Sequence, residues 1–163
     1  MQHDRSQTPW NMDTREALNY ARDICARKEQ CRFDISLKLK ERGLSTDESS
    51  KVLQDLEKDG FIDEQRYART YCLEKFRLNK WGKVKLRYML KQKQLPEAVI
   101  GEALNHIDES EYRMLLEDEL ARKSFSIRGG NRLAQKKKLL QFGLQRGFEY
   151  GVIMEVIGNL PGF

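Results

Sequence analysis

The chain has 163 residues, and 30 lysines and arginines against 25 aspartates and glutamates give it a net charge of +5. Three prolines, eleven glycines and 34% charged residues exclude a turn-rich β protein and favour amphipathic helices around a narrow core. No apolar run reaches the roughly 20 residues that span a bilayer. Residues 1–10 lack the apolar stretch of a signal peptide, and the three cysteines form no Cys-x-x-Cys motif. We therefore expect a cytoplasmic protein with reduced thiols and no membrane contact.

The N-terminal third is predicted to contain a disordered tail followed by three short helices. Residues 1–12 show no helical periodicity. Asp13 and Glu16 have the spacing of a capping box, which predicts the start of the first helix, and Asp34 is the predicted cap of the second. Ser45 and Thr46 are predicted to open the third. The glycines predicted to end the second and third helices are Gly43 and Gly60.

The pattern of the first three helices then repeats along the chain. The motif Tyr-Ala-Arg-x-x-Cys at 20–25 returns at 67–72, and Arg-Gly-Leu at 42–44 returns as Arg-Gly-Phe at 146–148. An internal repeat of about 45–50 residues predicts an array of small helical units. The predicted fold is all-α, with three tandem three-helix repeats forming an elongated, curved rod. The predicted segments are a tail at 1–12 and repeats at 13–60, 61–108 (central and basic) and 109–163.

Charge is strongly banded along the second and third repeats. Residues 75–96 carry eight basic side chains and no acidic one, 97–120 carry eight acidic and one basic, and 121–148 again carry eight basic and no acidic. Local charge density sets the field that a partner meets, so two basic blocks flanking an acidic one indicate binding to an acidic or polyanionic partner.

The first basic block contains a predicted amphipathic helix over about Lys83–Gln94. Leu86 and Leu90 are predicted to face the core, with Val84 or Met89 beside them, whereas Lys83, Arg87 and Lys91 share another face at i, i+4 and i+8. Like charges at that spacing destabilise an isolated helix, so we expect this basic face to be free for a partner. The alternative is a solvated helix with a chance bias. In the second block Leu133, Leu140 and Leu144 are the predicted inward residues.

The sequence offers no residues for a catalytic, cofactor or metal site. Its two histidines, His3 and His106, are isolated, and the acids are scattered at helical spacing. The segment 127–131 contains two glycines but lacks the spacing of a phosphate-binding loop, so it is predicted to be an interhelical loop. We therefore expect a protein without enzymatic activity.

The motifs of the central repeat resemble the central signature of the RecX family. These are Asp-Glu-Gln-Arg-Tyr-Ala at 63–68, Lys-Trp-Gly at 80–82 and Arg-x-x-Leu-x-x-Lys at 87–93. The Arg-Gly-[Leu/Phe] motifs at the ends of second helices are similar too, and the resemblance covers about residues 14–162. One departure is Gln94, which stands where the family usually has the glycine that ends a helix.

This resemblance implies a non-enzymatic regulator of the RecA recombinase. Members of the family bind RecA filaments on single-stranded DNA in the filament groove and inhibit strand exchange and ATP hydrolysis, without a cofactor. We expect a monomer whose basic faces contact RecA, DNA or both. Two alternatives stay open, a stand-alone helical nucleic-acid-binding protein and a helical adaptor for an acidic protein. The candidate contact residues are Lys83, Lys85, Arg87, Lys91, Lys93, Arg66, Arg69, Arg132, Lys136, Lys137 and Arg146.

Overall fold

The computed structural model describes residues 12–163, so the predicted tail lies outside the described residues except for Met12. Every regular element over that range is an α-helix, which confirms the predicted all-α class. The helices fall into successive groups of three, as the internal repeat predicted. Their bounds are α1 (Thr14–Arg27), α2 (Arg32–Glu41), α3 (Thr46–Lys58), α4 (Glu64–Asn79), α5 (Lys83–Gln92), α6 (Glu97–Asn105), α7 (Glu109–Ser126), α8 (Arg132–Gln145) and α9 (Tyr150–Asn159).

The chain divides into two compact units within α4. The first unit ends at Tyr67 and the second begins at Ala68. The first therefore contains α1 to α3 and the start of α4, and the second contains the remainder of α4 and α5 to α9. The predicted repeat boundaries at 13–60, 61–108 and 109–163 enclose the helix groups α1–α3, α4–α6 and α7–α9.

Two of the three predicted helix starts in the first unit are correct. The Glu16 amide donates to Asp13 Oδ1 at 2.8 Å, and the Glu48 amide donates to Ser45 Oγ at 3.2 Å, each within a complete capping box. The prediction for α2 is wrong, because this helix begins at Arg32, before Asp34. Asp34 instead lies in the first turn, where a carboxylate favours the positive end of the helix dipole.

The second helix of each group ends in the same way, through a chain reversal with left-handed backbone. Gly43 and Gly147 have φ of +86°, and the equivalent residue of the central group is Gln94, with φ of +58°. In each case the next amide returns to a carbonyl five residues earlier, as in a Schellman motif. These bonds run from Leu44 to Leu39 (3.2 Å), from Leu95 to Leu90 (3.3 Å) and from Phe148 to Gly143 (3.1 Å). The glutamine therefore does not change how α5 ends.

Three aromatic rings form the centre of the second unit. Phe76, Tyr112 and Phe148 are almost fully buried, with centroid distances of 5.7 Å from the first to the second and 5.0 Å from the second to the third. The Tyr112 hydroxyl donates to Glu149 Oε2 at 2.6 Å and accepts from the Lys83 amide at 3.0 Å. Burial raises the pKa of Tyr112, so the hydroxyl stays protonated and both hydrogen bonds persist.

The start of α5 is held by the end of α8. The Gly82 amide donates to the Arg146 carbonyl at 2.8 Å, and the Val84 amide donates to the Gly147 carbonyl at 2.9 Å. The first amides and last carbonyls of a helix have no partner within that helix, and here amides at the start of α5 donate to carbonyls at the end of α8. The junction also brings the positive dipole end of α5 next to the negative dipole end of α8. A Cβ on Gly147 would lie 2.1 Å from the Lys85 Cβ. The two backbones therefore approach more closely than a side chain permits.

All three cysteines are thiols, as predicted. Cys31 and Cys72 are buried and Cys25 is half-buried. Burial raises the pKa of the Cys72 thiol to about 12. Since the thiolate is the reactive form, this burial makes Cys72 unreactive at neutral pH.

Candidate partner-binding surfaces

The core-facing side of α5 is as predicted, but its outward side is only partly basic. Leu86 and Leu90 are fully buried. Val84 and Tyr88, one turn apart, are 54% and 61% exposed, so Val84 does not face inward, whereas Met89, the other predicted neighbour of the leucines, is half-buried. Lys83 and Arg87 lie to one side of this apolar pair and Lys85 lies to the other, whereas Lys91 follows the pair on the outward side.

The prediction that the basic face of α5 is free is also wrong. Lys83 Nζ lies 2.9 Å from Glu109 Oε2, Lys91 Nζ lies 3.4 Å from Glu97 Oε2, and Arg87 pairs with the same Glu97. The reason is that α6 packs against α5 and α7 follows it, which brings the acidic block of 97–120 beside the first basic block. The acidic band therefore pairs with several cations of the first basic band within the chain.

These ion pairs are weak enough to exchange partners. The side chains of Arg87, Lys91 and Glu97 are 40%, 55% and 56% exposed. Solvent-exposed pairs of this kind contribute about 0–1 kcal/mol each. Lys83 is different, because its side chain is only 22% exposed and its Nζ lies 4.6 Å from the centroid of the Tyr112 ring. We therefore treat Lys83 as structural and Arg87 and Lys91 as available to a stronger anion.

Two other candidates at the ends of α5 have local roles. Lys85 Nζ lies 4.6 Å from the centroid of Trp81, and Lys75 Nζ lies 5.7 Å from the same ring, so the half-buried indole is flanked by two ammonium groups. Such contacts are worth about 0.5–1 kcal/mol at exposed sites. Lys93 is the C-cap residue of α5 and precedes the left-handed Gln94.

The two arginine candidates of α4 are engaged within the chain. Arg66 pairs with Glu29 and donates to the Gly60 carbonyl at 3.1 Å. Arg69 donates to both carboxylate oxygens of Glu102, and this contact lowers the pKa of Glu102. Arg66 and Arg69 thus help to hold helices of their own units together, a role that their position in the sequence alone did not reveal.

The cations of α8 have no such partners. Over residues 12–163, no carboxylate forms an ion pair with Arg132, Lys136 or Lys137, and the helix itself contains no acid. Arg132 and Lys137 are exposed and Lys136 is half-buried. Arg146, at the end of the helix, donates to the Asn79 carbonyl at 3.1 Å, and its guanidinium carbon lies 5.1 Å from the centroid of Phe142.

The predicted inward leucines of α8 are largely on the surface. Leu133 and Leu144 are 69% and 46% exposed and Leu140 is half-buried, whereas Leu139, which was not predicted, is fully buried. Gly143 shares the buried face, and a Cβ there would lie 2.8 Å from Ile153 Cδ1, so α9 packs close to the backbone. The absence of a side chain at Gly143 hid this face from a search for apolar periodicity.

A groove between the C-terminal end of α7 and the side of α8 was not predicted. It has a volume of about 290 Å³ and is lined by three cations, Lys123, Arg128 and Lys138, together with Phe142. Its remaining lining residues are Ser126, Ile127, Gln141 and Gln145. The signal that could have revealed it is the acid-free segment 121–148, which supplies all of these residues.

The predicted interhelical loop is confirmed, since 127–131 lies between α7 and α8. In the part of the chain that the structure describes, no group of three histidine, cysteine or carboxylate side chains is placed to hold a metal ion. None of the helices described over 12–163 combines the length and apolar character needed to cross a bilayer.

Two family models match the segments that contain the basic helices. "RecX, second three-helix domain" matches residues 63–104, and "RecX, third three-helix domain" matches residues 115–157. The first segment contains α5 and the second contains α8.

Relatives with the name "Regulatory protein RecX" align over most of the chain. The protein from Prosthecochloris aestuarii is 32% identical over 148 residues, which cover 91% of this chain and 95% of that protein. The protein from Chlorobaculum tepidum is 31% identical over 146 residues, covering 90% and 89%. The protein from Clostridium acetobutylicum is 34% identical, with 78% of this chain matching 60% of its length.

Solved structures share the same fold. The crystal structure of RecX from Lactobacillus salivarius superposes with a TM-score of 0.78 at 20% identity, over 91% of this chain and 96% of that one. A second crystal structure, of "regulatory protein RecX", superposes with a TM-score of 0.74 at 22% identity, over 90% of this chain and 74% of that one.

Proposed function

Because the chain belongs to the RecX family, we propose that it regulates RecA by binding RecA filaments on single-stranded DNA, where it occupies the filament groove and inhibits ATP hydrolysis and strand exchange. The single observation that carries this proposal is that the family match covers the two segments with the basic helices. In this role the protein acts in the cytoplasm as a monomer and without catalysis.

The proposed contact surface consists of the outward sides of α5 and α8. On α5 the exposed Tyr88 and Val84 offer an apolar contact, with Lys91 beside them. On α8 the exposed Arg132 and Lys137 have no carboxylate partner among the described residues. Aromatic and arginine side chains are the residue types that contribute most to protein interfaces, and cations without internal partners add to encounter rates with an acidic filament.

The proposal is tested by titrating the protein into RecA from the same organism, assembled on single-stranded DNA, while ATP hydrolysis is followed. We expect inhibition at well below one molecule per RecA, because one regulator in the groove blocks several recombinase subunits. No inhibition at a one-to-one ratio would contradict the proposal.

A matched pair of variants tests the contact surface in the same assay. Arg132→Glu with Lys137→Glu should raise the concentration for half-inhibition at least tenfold. Lys51→Glu with Lys58→Glu, two exposed residues of α3, carries the same charge change and should leave inhibition within twofold. Equal losses in both variants would show that net charge alone matters and would exclude the proposed surface.

A second candidate function is stand-alone binding of nucleic acid, which is favoured by the unpaired cations of α8. Under this alternative, free single-stranded DNA binds as tightly as the RecA filament, and the affinity falls with salt in proportion to the phosphates contacted. Comparison of the two affinities at one salt concentration separates the candidates, since filament regulation requires the filament to bind more tightly.

A further inference from the structure

We propose that the groove between α7 and α8 binds a phosphate group of single-stranded nucleic acid. Three cationic side chains line it, Lys123 from α7, Arg128 from the connecting loop and Lys138 from α8. Such a convergence of positive charge from three parts of the chain matches a tetrahedral anion that accepts hydrogen bonds in several directions.

The loop geometry places Arg128 in the groove. Gly129 and Gly130 have φ of +73° and +80°, so two successive left-handed residues turn the chain sharply from the end of α7 to the start of α8. Asn131 then caps α8 by accepting from the Ala134 amide at 2.9 Å. Arg128 therefore lines the same groove as Lys138, ten positions later in the sequence.

The charge of the groove is not neutralised within the chain. Among residues 12–163, no carboxylate pairs with Lys123, Arg128 or Lys138, in contrast to Arg87 and Lys91 of α5. Like charges held close together repel and destabilise the fold unless a counter-ion occupies the site. A bound anion therefore gains from all three cations without first breaking an ion pair.

The remaining lining residues suit a phosphodiester better than a simple ion. Gln141 and Gln145 carry amide donors and acceptors for a sugar or a second phosphate oxygen. Phe142 forms an apolar wall, and its ring is fixed by Lys123 Nζ at 5.5 Å and by the Arg146 guanidinium at 5.1 Å. The groove volume of about 290 Å³ exceeds that of a bare phosphate.

A further cation beside the groove favours a polymer over an acidic side chain. Lys137 is exposed and precedes Lys138, which places it about 100° around α8 from the groove, whereas Arg132 and Lys136 lie on the far side of the helix. A nucleic-acid strand that leaves the groove carries a phosphate on every nucleotide and can therefore reach Lys137 as well. A protein carboxylate would satisfy the groove alone.

The inference rests on the proposed function only for the identity of the strand, which would be the DNA of the RecA filament. Its test therefore uses no RecA. Binding of the full chain to a fluorescent 20-nucleotide oligothymidine is measured by anisotropy across a series of salt concentrations, for the unaltered protein and for Arg128→Gln with Lys138→Gln. Both side chains are exposed and neither forms an ion pair, so circular dichroism should show an unchanged fold.

We expect the double variant to bind at least tenfold more weakly. Its plot of log affinity against log salt should be shallower by about 0.7, because the groove holds one phosphate and each phosphate contact on a single strand contributes about that much. The control Lys51→Gln with Lys58→Gln removes the same charge from α3 and should keep the slope of the unaltered protein. Inorganic phosphate should compete with the oligonucleotide only where the groove is intact.

The other outcomes separate failure of this inference from failure of the proposed function. Unchanged affinity and slope in the double variant would exclude the groove as a phosphate site, as would absent binding by the unaltered protein. If the double variant binds the oligonucleotide normally but no longer inhibits RecA, the groove binds an acidic protein surface instead. If it loses the oligonucleotide while the unaltered protein fails to inhibit RecA, the groove assignment stands and the proposed function falls.

Discussion

At position 94, a glutamine holds a backbone conformation that normally requires glycine. Its φ of +58° is set by the reversal that returns the Leu95 amide to the Leu90 carbonyl, which closes α5 and directs Leu95 into the core. A non-glycine residue in the left-handed region costs about 1–2 kcal/mol because its Cβ approaches a backbone carbonyl. The exposed side chain gives no visible compensation, so Gln94 lowers stability.

Replacing this residue with glycine should therefore stabilise the protein. We expect Gln94→Gly to raise the free energy of unfolding by about 1 kcal/mol, measured as a shift of the urea midpoint with an unchanged slope. Gln92→Gly, at the last residue of α5, serves as the control and should destabilise by up to about 1 kcal/mol, since the backbone there is helical and glycine weakens a helix. If both variants behave alike, the strain assigned to position 94 is absent.

Position 94 also shows what the sequence could reveal at the residue scale. The departure from the family pattern identified the site, but not whether α5 would end there or continue. The answer depends on the burial of Leu95 on a core built by other helices, and no local propensity contains that information. The ion pair between Lys83 and Glu109 could not be predicted from local sequence either, because it depends on where α7 packs.

At the scale of elements, the junction of α5 with α8 determines where the basic helix lies. The Gly82 and Val84 amides are bonded to carbonyls at the end of α8, and the Lys83 amide is bonded to Tyr112. The start of α5 is therefore part of the same assembly as the third helix group. Its inward leucines were predictable from periodicity, whereas this junction was not, because glycines leave no pattern that marks a contact.

A side chain at the junction should be strongly destabilising. We expect Gly147→Ala to lower the free energy of unfolding by about 3 kcal/mol, which combines left-handed strain with the displacement of Lys85. Thermal and urea unfolding would measure the loss. Gly151→Ala in α9, where a Cβ meets nothing within 4 Å, should instead be neutral or stabilising. A small effect at 147 would mean that the two backbones separate easily.

At the scale of the whole molecule, the two basic bands of the sequence differ in how far acidic side chains pair with them. The acidic band of 97–120 pairs with several cations of the first basic band, whereas among the described residues of the second basic band only Arg122 forms an ion pair with a carboxylate, that of Glu119. The sequence predicted the bands and the helical repeat, since both depend on local order. It did not predict which basic band would be neutralised, because that depends on the packing of α6 against α5.

Removing the carboxylate of Glu97 should therefore make cations of the first basic band available to an anionic partner. We expect Glu97→Gln, which releases Arg87 and Lys91, to strengthen binding to single-stranded DNA at least threefold at low salt. Glu117→Gln on α7 makes the same change in net charge at an exposed position and should have a smaller effect. Fluorescence anisotropy with both variants measures the difference. An equal gain in the two would show that these ion pairs do not limit binding.

The close approach of Gly82 and Gly147 also limits how this sequence can change over time. A Cβ on either residue would collide with backbone atoms, and enlarging one gives no room for a change at the other. Compensation between them is therefore impossible, and both positions should remain fixed in a library of functional variants. The outward positions 84 and 88 of α5 carry no such restriction. Substitutions there can therefore change which partner binds without changing the fold.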